Sequence, residues 1–161
     1  MIRVLVVDDH PVMRAGLRTV LAACGDIRVV AEAAEGEEAV RRAEALKPDV
    51  VLLDCRLPGM DGVAVARALR ERCPGARVVV LSAYDDGRLL WGMMQAGAAG
   101  YVLKEEPPER VVAVIRAAVG GETGFRPQQV AKARRWWEGI GEKSVPARLY
   151  RPSRRRRTSM P

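Results

Sequence analysis

Short aliphatic runs alternate with segments of helical periodicity along most of the chain. The runs read IRVLVV, IRVVAEA, VVLL, ARVVVL and GYVLK. A strand with one exposed face would alternate polar and apolar residues, whereas these runs are almost continuously apolar. They therefore predict five strands that are buried on both faces.

Each strand is followed by a segment whose apolar residues recur every three or four positions, which predicts a helix. The helices are expected at about residues 11–24, 36–46, 62–73, 86–96 and 107–119. Pro11 suits the first turn of its helix, and Asp61 is a predicted N-cap. The face of the last helix that is predicted to be buried consists of Val111, Val112, Ile115 and Val119.

The alternation of strand and helix predicts an α/β domain with a parallel sheet, because parallel neighbours must be joined by right-handed crossovers. Helices would then cover both faces of the sheet. We expect the flavodoxin-like, doubly wound (βα)5 arrangement of five strands in the order 2-1-3-4-5, in which the first and third strands are neighbours.

Polar side chains stand at the carboxyl ends of four of the five strands. Asp8 and Asp9 follow the first strand, and Asp54 follows the third. Ser82 and Lys104 follow the fourth and the fifth. Ligands of open parallel sheets bind beyond the carboxyl ends of the strands, where the strand order reverses. The pattern predicts one shared site at that edge.

The residue types indicate phosphoryl chemistry. Three carboxylates in one site repel one another unless a cation or protons intervene, and Mg²⁺ prefers oxygen ligands and leaves positions free for a phosphate. Lys104 and Ser82 would contact the oxygens of a transferred phosphoryl group, and Asp54 would be the nucleophile. Taken singly, each residue also has a structural interpretation; Asp9, for instance, could cap the helix that Pro11 opens.

Net charge divides the chain into two parts. Residues 1–125 contain 16 Lys and Arg and 18 Asp and Glu, whereas residues 126–161 contain 11 and 2 respectively. The excess positive charge therefore belongs to the C-terminal segment, and it is no argument for nucleic-acid binding by the folded part.

Cysteine usage and hydropathy indicate where the protein works. Cys24, Cys55 and Cys73 lie in separate segments, so we expect reduced thiols in a cytoplasmic protein and neither a zinc site nor a disulfide framework. No apolar run approaches the ~18 residues that would span a bilayer, so no membrane partner is expected.

Four stretches carry a resemblance to a known family: VLVVDDHPVMRAGL, DVVLLDCRLPGMDG, VVVLSAYDD and GYVLKEEPPE. In this order they resemble the receiver domains of two-component response regulators, over about residues 1–122. DDHPVMRAGL and GYVLKEEPPE look most like the NarL/LuxR-type subfamily. The resemblance implies that Asp54 is the phosphoacceptor. It also implies that Asp9 binds Mg²⁺ directly with the help of Asp8, and that Asp54 and the backbone carbonyl of Arg56 are further ligands.

The resemblance further implies a switch and its partners. Ser82 and Lys104 would bind the phosphoryl group, and Tyr101 would form a switch pair with Ser82 by turning from an exposed to a buried position. A sensor histidine kinase would be the phosphoryl donor. The receiver would catalyse its own phosphorylation and dephosphorylation, pair with a second copy when phosphorylated, and control transcription.

Two other functions remain open from the residues. The basic C-terminal segment could bind nucleic acid, although short runs such as RRRR are also common as solvated ends. An aspartyl-nucleophile phosphohydrolase of the haloacid dehalogenase type is the other alternative. That pattern expects a second acid two residues after the nucleophile, where Arg56 stands. The same Arg56 leaves the lifetime of an acyl phosphate open.

We divide the chain into a receiver domain (1–122), a partly helical linker (123–141) and a disordered tail rich in Arg, Pro and Ser (142–161). The linker helix is predicted from Pro127, with Val130 and Trp137 on one side. The tail lacks the apolar periodicity of a helix-turn-helix. We therefore expect the usual C-terminal output domain to be missing and DNA binding to be weak. A shifted reading frame is one interpretation of the tail's composition.

Overall fold

The fold is seen in a computed structural model that describes residues 1–57 and 59–143, with the backbone alone for 140–143. The strands are Ile2–Val7 (β1), Ile27–Ala33 (β2), Val50–Asp54 (β3), Arg77–Ser82 (β4) and Gly100–Leu103 (β5). The helices are Pro11–Ala22 (α1), Gly36–Leu46 (α2), Gly62–Arg72 (α3), Gly87–Gln95 (α4), Pro108–Val119 (α5) and Pro127–Lys143 (α6).

The five strands form one parallel sheet in the order β2-β1-β3-β4-β5, which confirms the flavodoxin-like arrangement. Successive side chains of a strand point to opposite faces of the sheet, so each strand supplies two core layers. In β1, Leu5 and Val7 pack into one layer, with apolar residues of α2, α3 and α4. Val4 and Val6 pack into the other layer, with apolar residues of α1 and α5.

The expectation that every strand is buried on both faces is wrong for β2. Its ends Ile27 and Ala33 are buried, but Arg28 is exposed and the residues from Val29 to Glu32 are only partly covered. The reason is its position, because β2 is an edge strand with a single neighbour, β1, whereas Gly124 and Phe125 contact the other edge strand, β5. The apolar run IRVV alone does not distinguish an edge from a centre.

The buried face of α5 differs from the predicted one at its last turn. Val111, Val112 and Ile115 are buried as predicted, but Val119 is 42% exposed. Val114 is 1% exposed and takes part in the core. The face that meets the sheet thus follows the spacing 111, 114, 115 and 118, and the C-terminal residue of the helix turns away from it.

Helix α6 begins at Pro127, where the linker helix was predicted, and continues to Lys143. The helix packs along α4, and Ala133 is fully buried there. The predicted disordered tail lies, from residue 144 onward, outside the described residues. None of the described helices is long and apolar enough to cross a membrane.

Two valines of α5 provide a test of this packing, because they differ in burial and not in chemistry. Val114→Ala should lower the free energy of unfolding by about 2 kcal/mol, since it removes buried methyl groups. Val119→Ala should change it by less than about 0.5 kcal/mol, the usual effect at a surface position. Urea denaturation followed by circular dichroism measures both. Equal losses in the two variants would contradict the assigned face of α5.

Candidate functional site

The strand register brings the predicted polar residues to one edge of the sheet. Val7 of β1 pairs with Leu53 of β3, so the residues that follow them, Asp8 and Asp54, lie side by side. The neighbouring strand β4 ends at Ser82, which pairs with Leu103 of β5. Parallel strands therefore end together here, and the chain leaves the sheet at polar residues on four of them.

Asp8 is almost fully buried, with 1% of its surface exposed. Its Oδ1 accepts a hydrogen bond from the backbone N–H of His10 at 2.8 Å. Its Oδ2 lies 3.9 Å from Nζ of Lys104.

His10, and not Asp9, is the N-cap residue of α1, and no side chain caps that helix. The structural interpretation of Asp9 as a helix cap is therefore wrong.

Asp54 is buried to the same extent as Asp8 and faces the same cation. Its side chain is 1% exposed, Oδ1 accepts from the backbone N–H of Arg56 at 3.1 Å, and Oδ2 lies 3.2 Å from Nζ of Lys104. Burial, with a contribution from the charge of Asp8, raises the pKa of Asp54, while the Arg56 N–H and Lys104 oppose the shift. One ammonium group therefore does not offset the cost of burying this carboxylate beside another.

The acidic cluster has the ligands that a hard divalent cation requires. One ligand atom from each of Asp8, Asp9, His10 and Asp54 lies within 4.8 Å of all the others. Oδ2 of Asp8 and Oδ2 of Asp54 are buried and share the Lys104 ammonium group, whose Nζ lies 3.9 and 3.2 Å from them; Oδ1 of Asp9 is buried and lies 3.0 Å from Nδ1 of His10. Buried carboxylates crowded together in this way are costly unless a cation or a proton joins them. The residues present thus fit Mg²⁺, which takes carboxylate oxygens and keeps several waters.

The side chain of Arg56 turns away from the carboxylates and pairs with an aromatic ring. Its Nη1 donates to the hydroxyl of Tyr84 at 3.2 Å, and its Cζ lies 5.0 Å from the centre of that ring. The position thus carries no acid, and the second carboxylate of a dehalogenase-type phosphohydrolase is absent from it. The next residue after Asp54 is equally unsuited to acid–base work, because burial raises the pKa of the Cys55 thiol to about 12.

Ser82 and Tyr101 are linked through the main chain of Tyr84. The Ser82 hydroxyl donates to the Tyr84 carbonyl at 2.9 Å and accepts from the Tyr84 N–H at 2.9 Å. The Tyr101 hydroxyl donates to the same carbonyl at 2.6 Å, and the Tyr101 side chain is fully buried. The structure therefore shows the inward position of Tyr101, one of the two positions expected of a switch residue.

Tyr84 is a residue of the site that the sequence does not predict. The signal for it in the sequence is weak, because it acts through its carbonyl oxygen and through a ring that is 48% exposed. Neither property produces a periodic or charged pattern. Its only sequence signal is its place two residues after the strand-end Ser82.

Comparison with known proteins identifies the family. The family model described as "Response regulator receiver domain" matches residues 4–116. The transcriptional regulatory protein YxjL of Bacillus subtilis is 37% identical over 131 residues, which is 81% of this chain and 60% of the relative. The nitrate/nitrite response regulator protein NarL of Escherichia coli K12 is 38% identical over 119 residues, which is 74% of this chain and 55% of the relative.

Solved structures agree with this match. The signal receiver domain of the response regulator NarL from Mycobacterium tuberculosis superimposes with a TM-score of 0.72 and 40% identity, covering 75% of this chain and 98% of that one. A LuxR-family two-component response regulator from Aurantimonas gives a TM-score of 0.77 and 32% identity, covering 84% and 97%.

The relatives define the extent of the similarity. The chain spans only about 60% of the length of YxjL and 55% of the length of NarL, so the match concerns their receiver portion. The matched residues 4–116 contain the acidic cluster, Ser82, Tyr101 and Lys104. The chain therefore belongs to the receiver domain family of two-component response regulators, related to the NarL/LuxR-type regulators, and is a phosphoacceptor signalling protein rather than a metabolic enzyme.

Proposed function

We propose that Asp54 accepts a phosphoryl group from a sensor histidine kinase, in a reaction that needs Mg²⁺ and that the receiver itself catalyses. The observation that carries the proposal is the pair of almost fully buried carboxylates, Asp8 and Asp54, which share the ammonium group of Lys104. In each, the buried Oδ2 faces this one ammonium group, at 3.9 Å in Asp8 and 3.2 Å in Asp54. Such an arrangement is costly for a purely structural role and suits a site that takes up a cation and a phosphate.

Asp54 supplies the nucleophile. Its Oδ1 is held by the Arg56 N–H, so Oδ2, which lies 3.2 Å from Nζ of Lys104, is the oxygen free to react. Attack on phosphorus forms an O–P bond, and the P–N bond to the donor histidine breaks. The histidine nitrogen leaves with the bonding electron pair. The product is an acyl phosphate on Asp54.

Lys104 and Ser82 stabilise the transferred group. The side chain of Lys104 is 21% exposed and its ammonium group contacts both buried carboxylates, so it can stabilise negative charge on the carboxylate and on the phosphoryl oxygens. Ser82 is 1% exposed, and its hydroxyl can donate a hydrogen bond to a phosphoryl oxygen once it no longer donates to the Tyr84 carbonyl.

Asp8, Asp9, Asp54 and the backbone carbonyl of Arg56 would hold the Mg²⁺. When bound, the ion offsets the repulsion between the carboxylates and an incoming phosphoryl group. Asp9 is 33% exposed and stands on the open side of the cluster, while Asp8 is buried beneath it. The backbone N–H of Arg56 contacts Asp54, which places the Arg56 main chain beside the cluster.

We also propose that the phosphorylated receiver acts in transcription control, and that phosphorylation promotes pairing with a second copy. The support for transcription control is the naming of relatives as transcriptional regulatory proteins, such as LiaR of Bacillus subtilis, which is 36% identical over 146 residues. The division of the chain into a receiver (1–122) and a following segment belongs to the same proposal.

The acceptor assignment is tested by intact mass after incubation with acetyl phosphate. The wild-type protein should gain one phosphoryl group with Mg²⁺ and none with excess EDTA, and Asp54→Asn should gain none. Asp49→Asn is the matched control, because Asp49 lies at the opposite end of β3 and accepts a hydrogen bond from the Arg3 N–H; it should be labelled normally. Wild-type labelling of Asp54→Asn would disprove the assignment.

The electrostatic strain at the site predicts that Asp54→Asn stabilises the fold in EDTA at pH 7. The raised pKa means that ionised Asp54 costs stability above its folded-state pKa, and this cost disappears as the pH falls and the group is protonated. A gain of ~1 kcal/mol would raise the melting temperature by about 2–4 °C. The gain should shrink at lower pH, and Mg²⁺ should raise the melting temperature of the wild type. Thermal denaturation that ranks the variant below the wild type in EDTA would refute this.

The contact between Arg56 and Tyr84 fixes the Arg56 side chain two residues after Asp54, beside the backbone N–H that binds Asp54. We expect this fixed side chain to limit the approach of water and to lengthen the lifetime of the acyl phosphate. An exposed cation–π contact is worth about 0.5–1 kcal/mol, which corresponds to a factor of about two to five in rate. Tyr84→Ala should therefore accelerate loss of the phosphoryl group about threefold in a phosphate-release assay. Tyr84→Phe keeps the ring and serves as the control; a decay as fast as that of Tyr84→Ala would exclude the ring contact as the cause.

A further inference from the structure

Helix α6 forms an extensive seam with α4. The Trp137 ring stacks on the Trp91 ring, with centroids 5.0 Å apart and planes within 5°. Ala133 is fully buried between the helices. At the start of α4, a Cβ added to Gly87 would lie 2.6 Å from Cβ of Trp136, so the two helices approach each other closely at this point.

The segment that leads into α6 holds the outer edge of β5 and the residue Tyr101. The Gly124 N–H donates to the Ala99 carbonyl at 2.7 Å, which continues the sheet by one bridge. The Phe125 ring packs against the Tyr101 ring with centroids 6.2 Å apart. Gln129 is 4% exposed and its Nε2 donates to the Tyr101 carbonyl at 3.4 Å. Tyr101 is thus enclosed by residues before α6 and in its first turn. We call residues 124–137, which contain them, the α6 segment.

The loop between β4 and α4 touches the phosphoryl site on one side and α6 on the other. At its start, the Tyr84 main chain binds the hydroxyls of Ser82 and Tyr101. At its end, Oδ2 of Asp85 lies 3.7 Å from Nζ of Lys132 in α6, and Gly87 contacts Trp136. Only two residues separate Tyr84 from Gly87. A displacement of the loop at the phosphoryl site is therefore expected to change its contacts with α6, and a displacement at α6 to change its contacts with the phosphoryl site.

The hydroxyl protons determine the direction of this coupling. Ser82 has one hydroxyl hydrogen, with which it donates a hydrogen bond to the Tyr84 carbonyl. To donate to a phosphoryl oxygen, Ser82 must release that carbonyl. The Tyr101 hydroxyl donates to the same carbonyl at 2.6 Å, so the carbonyl keeps a partner as long as Tyr101 stays inward. Whatever holds Tyr101 inward makes the release of Ser82 less costly.

We propose that the α6 segment positions Tyr101 and the loop at residues 84–87 so that Ser82 can bind the phosphoryl group. Trp137, Gln129 and Lys132 are positioning residues of the phosphoryl site, and docking of α6 and phosphorylation of Asp54 stabilise each other. The coupling must be reciprocal, because each event changes the equilibrium of the other by the same factor. The inference rests on the proposed phosphoacceptor function of Asp54 and adds its regulation by α6.

The probe for the test is beryllofluoride with Mg²⁺, which takes the place of the phosphoryl group, added to the full chain. All three tryptophans, Trp91, Trp136 and Trp137, lie in the seam between α4 and α6, so tryptophan fluorescence of the wild type reports on the seam alone. The proposal expects this fluorescence to change with saturation by beryllofluoride. No change in fluorescence, with binding demonstrated by calorimetry, would overturn it.

Variants of α6 measure the size of the coupling. Trp137→Ala and Lys132→Ala should bind beryllofluoride about fivefold more weakly in calorimetry, at the lower end of typical couplings. Trp137→Phe, which can still stack, should recover most of the wild-type affinity. Arg134→Ala and Arg135→Ala, on the exposed side of α6, are matched controls and should bind as the wild type does. Lys132→Ala removes only a partly exposed pair, so its result does not depend on whether Trp137→Ala folds fully.

The outcomes separate the two proposals. Wild-type affinity in both Trp137→Ala and Lys132→Ala, with Asp54 still labelled by acetyl phosphate, overturns the role of α6 and leaves the phosphoacceptor function intact. Tighter binding in these variants also overturns it, because α6 would then oppose phosphorylation. A wild-type protein that takes up neither phosphoryl group nor beryllofluoride overturns the proposed function, and the inference with it.

Discussion

The burial of two carboxylates beside one ammonium group is the constraint on which the rest of the site depends. Asp8 and Asp54 are each 1% exposed, and both face Nζ of Lys104. The parallel register of β1 and β3 brings them together: Val7 pairs with Leu53, so the residues that follow, Asp8 and Asp54, lie side by side. Binding of a cation, or transfer of a phosphoryl group, would relieve this repulsion and is therefore favoured by it. A neutral core at the same position would be more stable and would have no such response.

The carbonyl oxygen of Tyr84 connects that constraint to the surface of the molecule. Two hydroxyls, those of Ser82 and Tyr101, donate to this one acceptor, and only one of them can be withdrawn without leaving it unsatisfied. An exchange of hydrogen-bond partners at this carbonyl, as proposed above, would therefore act on the Tyr101 ring in the core. The exchange needs no large movement, since packed interiors transmit small shifts.

Helix α6, which the sequence predicts as part of a linker, packs against α4. The sequence from Pro127 predicts an amphipathic helix with Val130 and Trp137 on one side, and the structure shows that side against α4. The close approach at Gly87 requires a residue without a side chain, and a glycine stands at that position. A helix packed in this way is a part of the folded body and can influence its equilibrium.

Much of the fold and the makeup of the site follow from the sequence itself. The apolar runs and the helical spacing between them determine five strands, their order of alternation and the helix starts at Pro11, Gly36 and Gly62, because each signal is local. The residues at the strand ends are equally local, and the parallel fold is enough to bring Asp8, Asp9 and Asp54 together.

Tertiary structure decided the features that depend on which neighbour a residue meets. The run IRVV of β2 predicts a buried strand, but β2 lies at an edge of the sheet and is only partly covered, whereas Gly124 bridges the outer side of the other edge strand, β5. Val119 continues the apolar face of α5 in sequence but is 42% exposed. Tyr84 enters the site through its carbonyl, and Trp136 meets Gly87 across 49 residues of chain. Periodicity records the face that a residue shares with its own helix or strand, and it holds no information on the partner that covers that face.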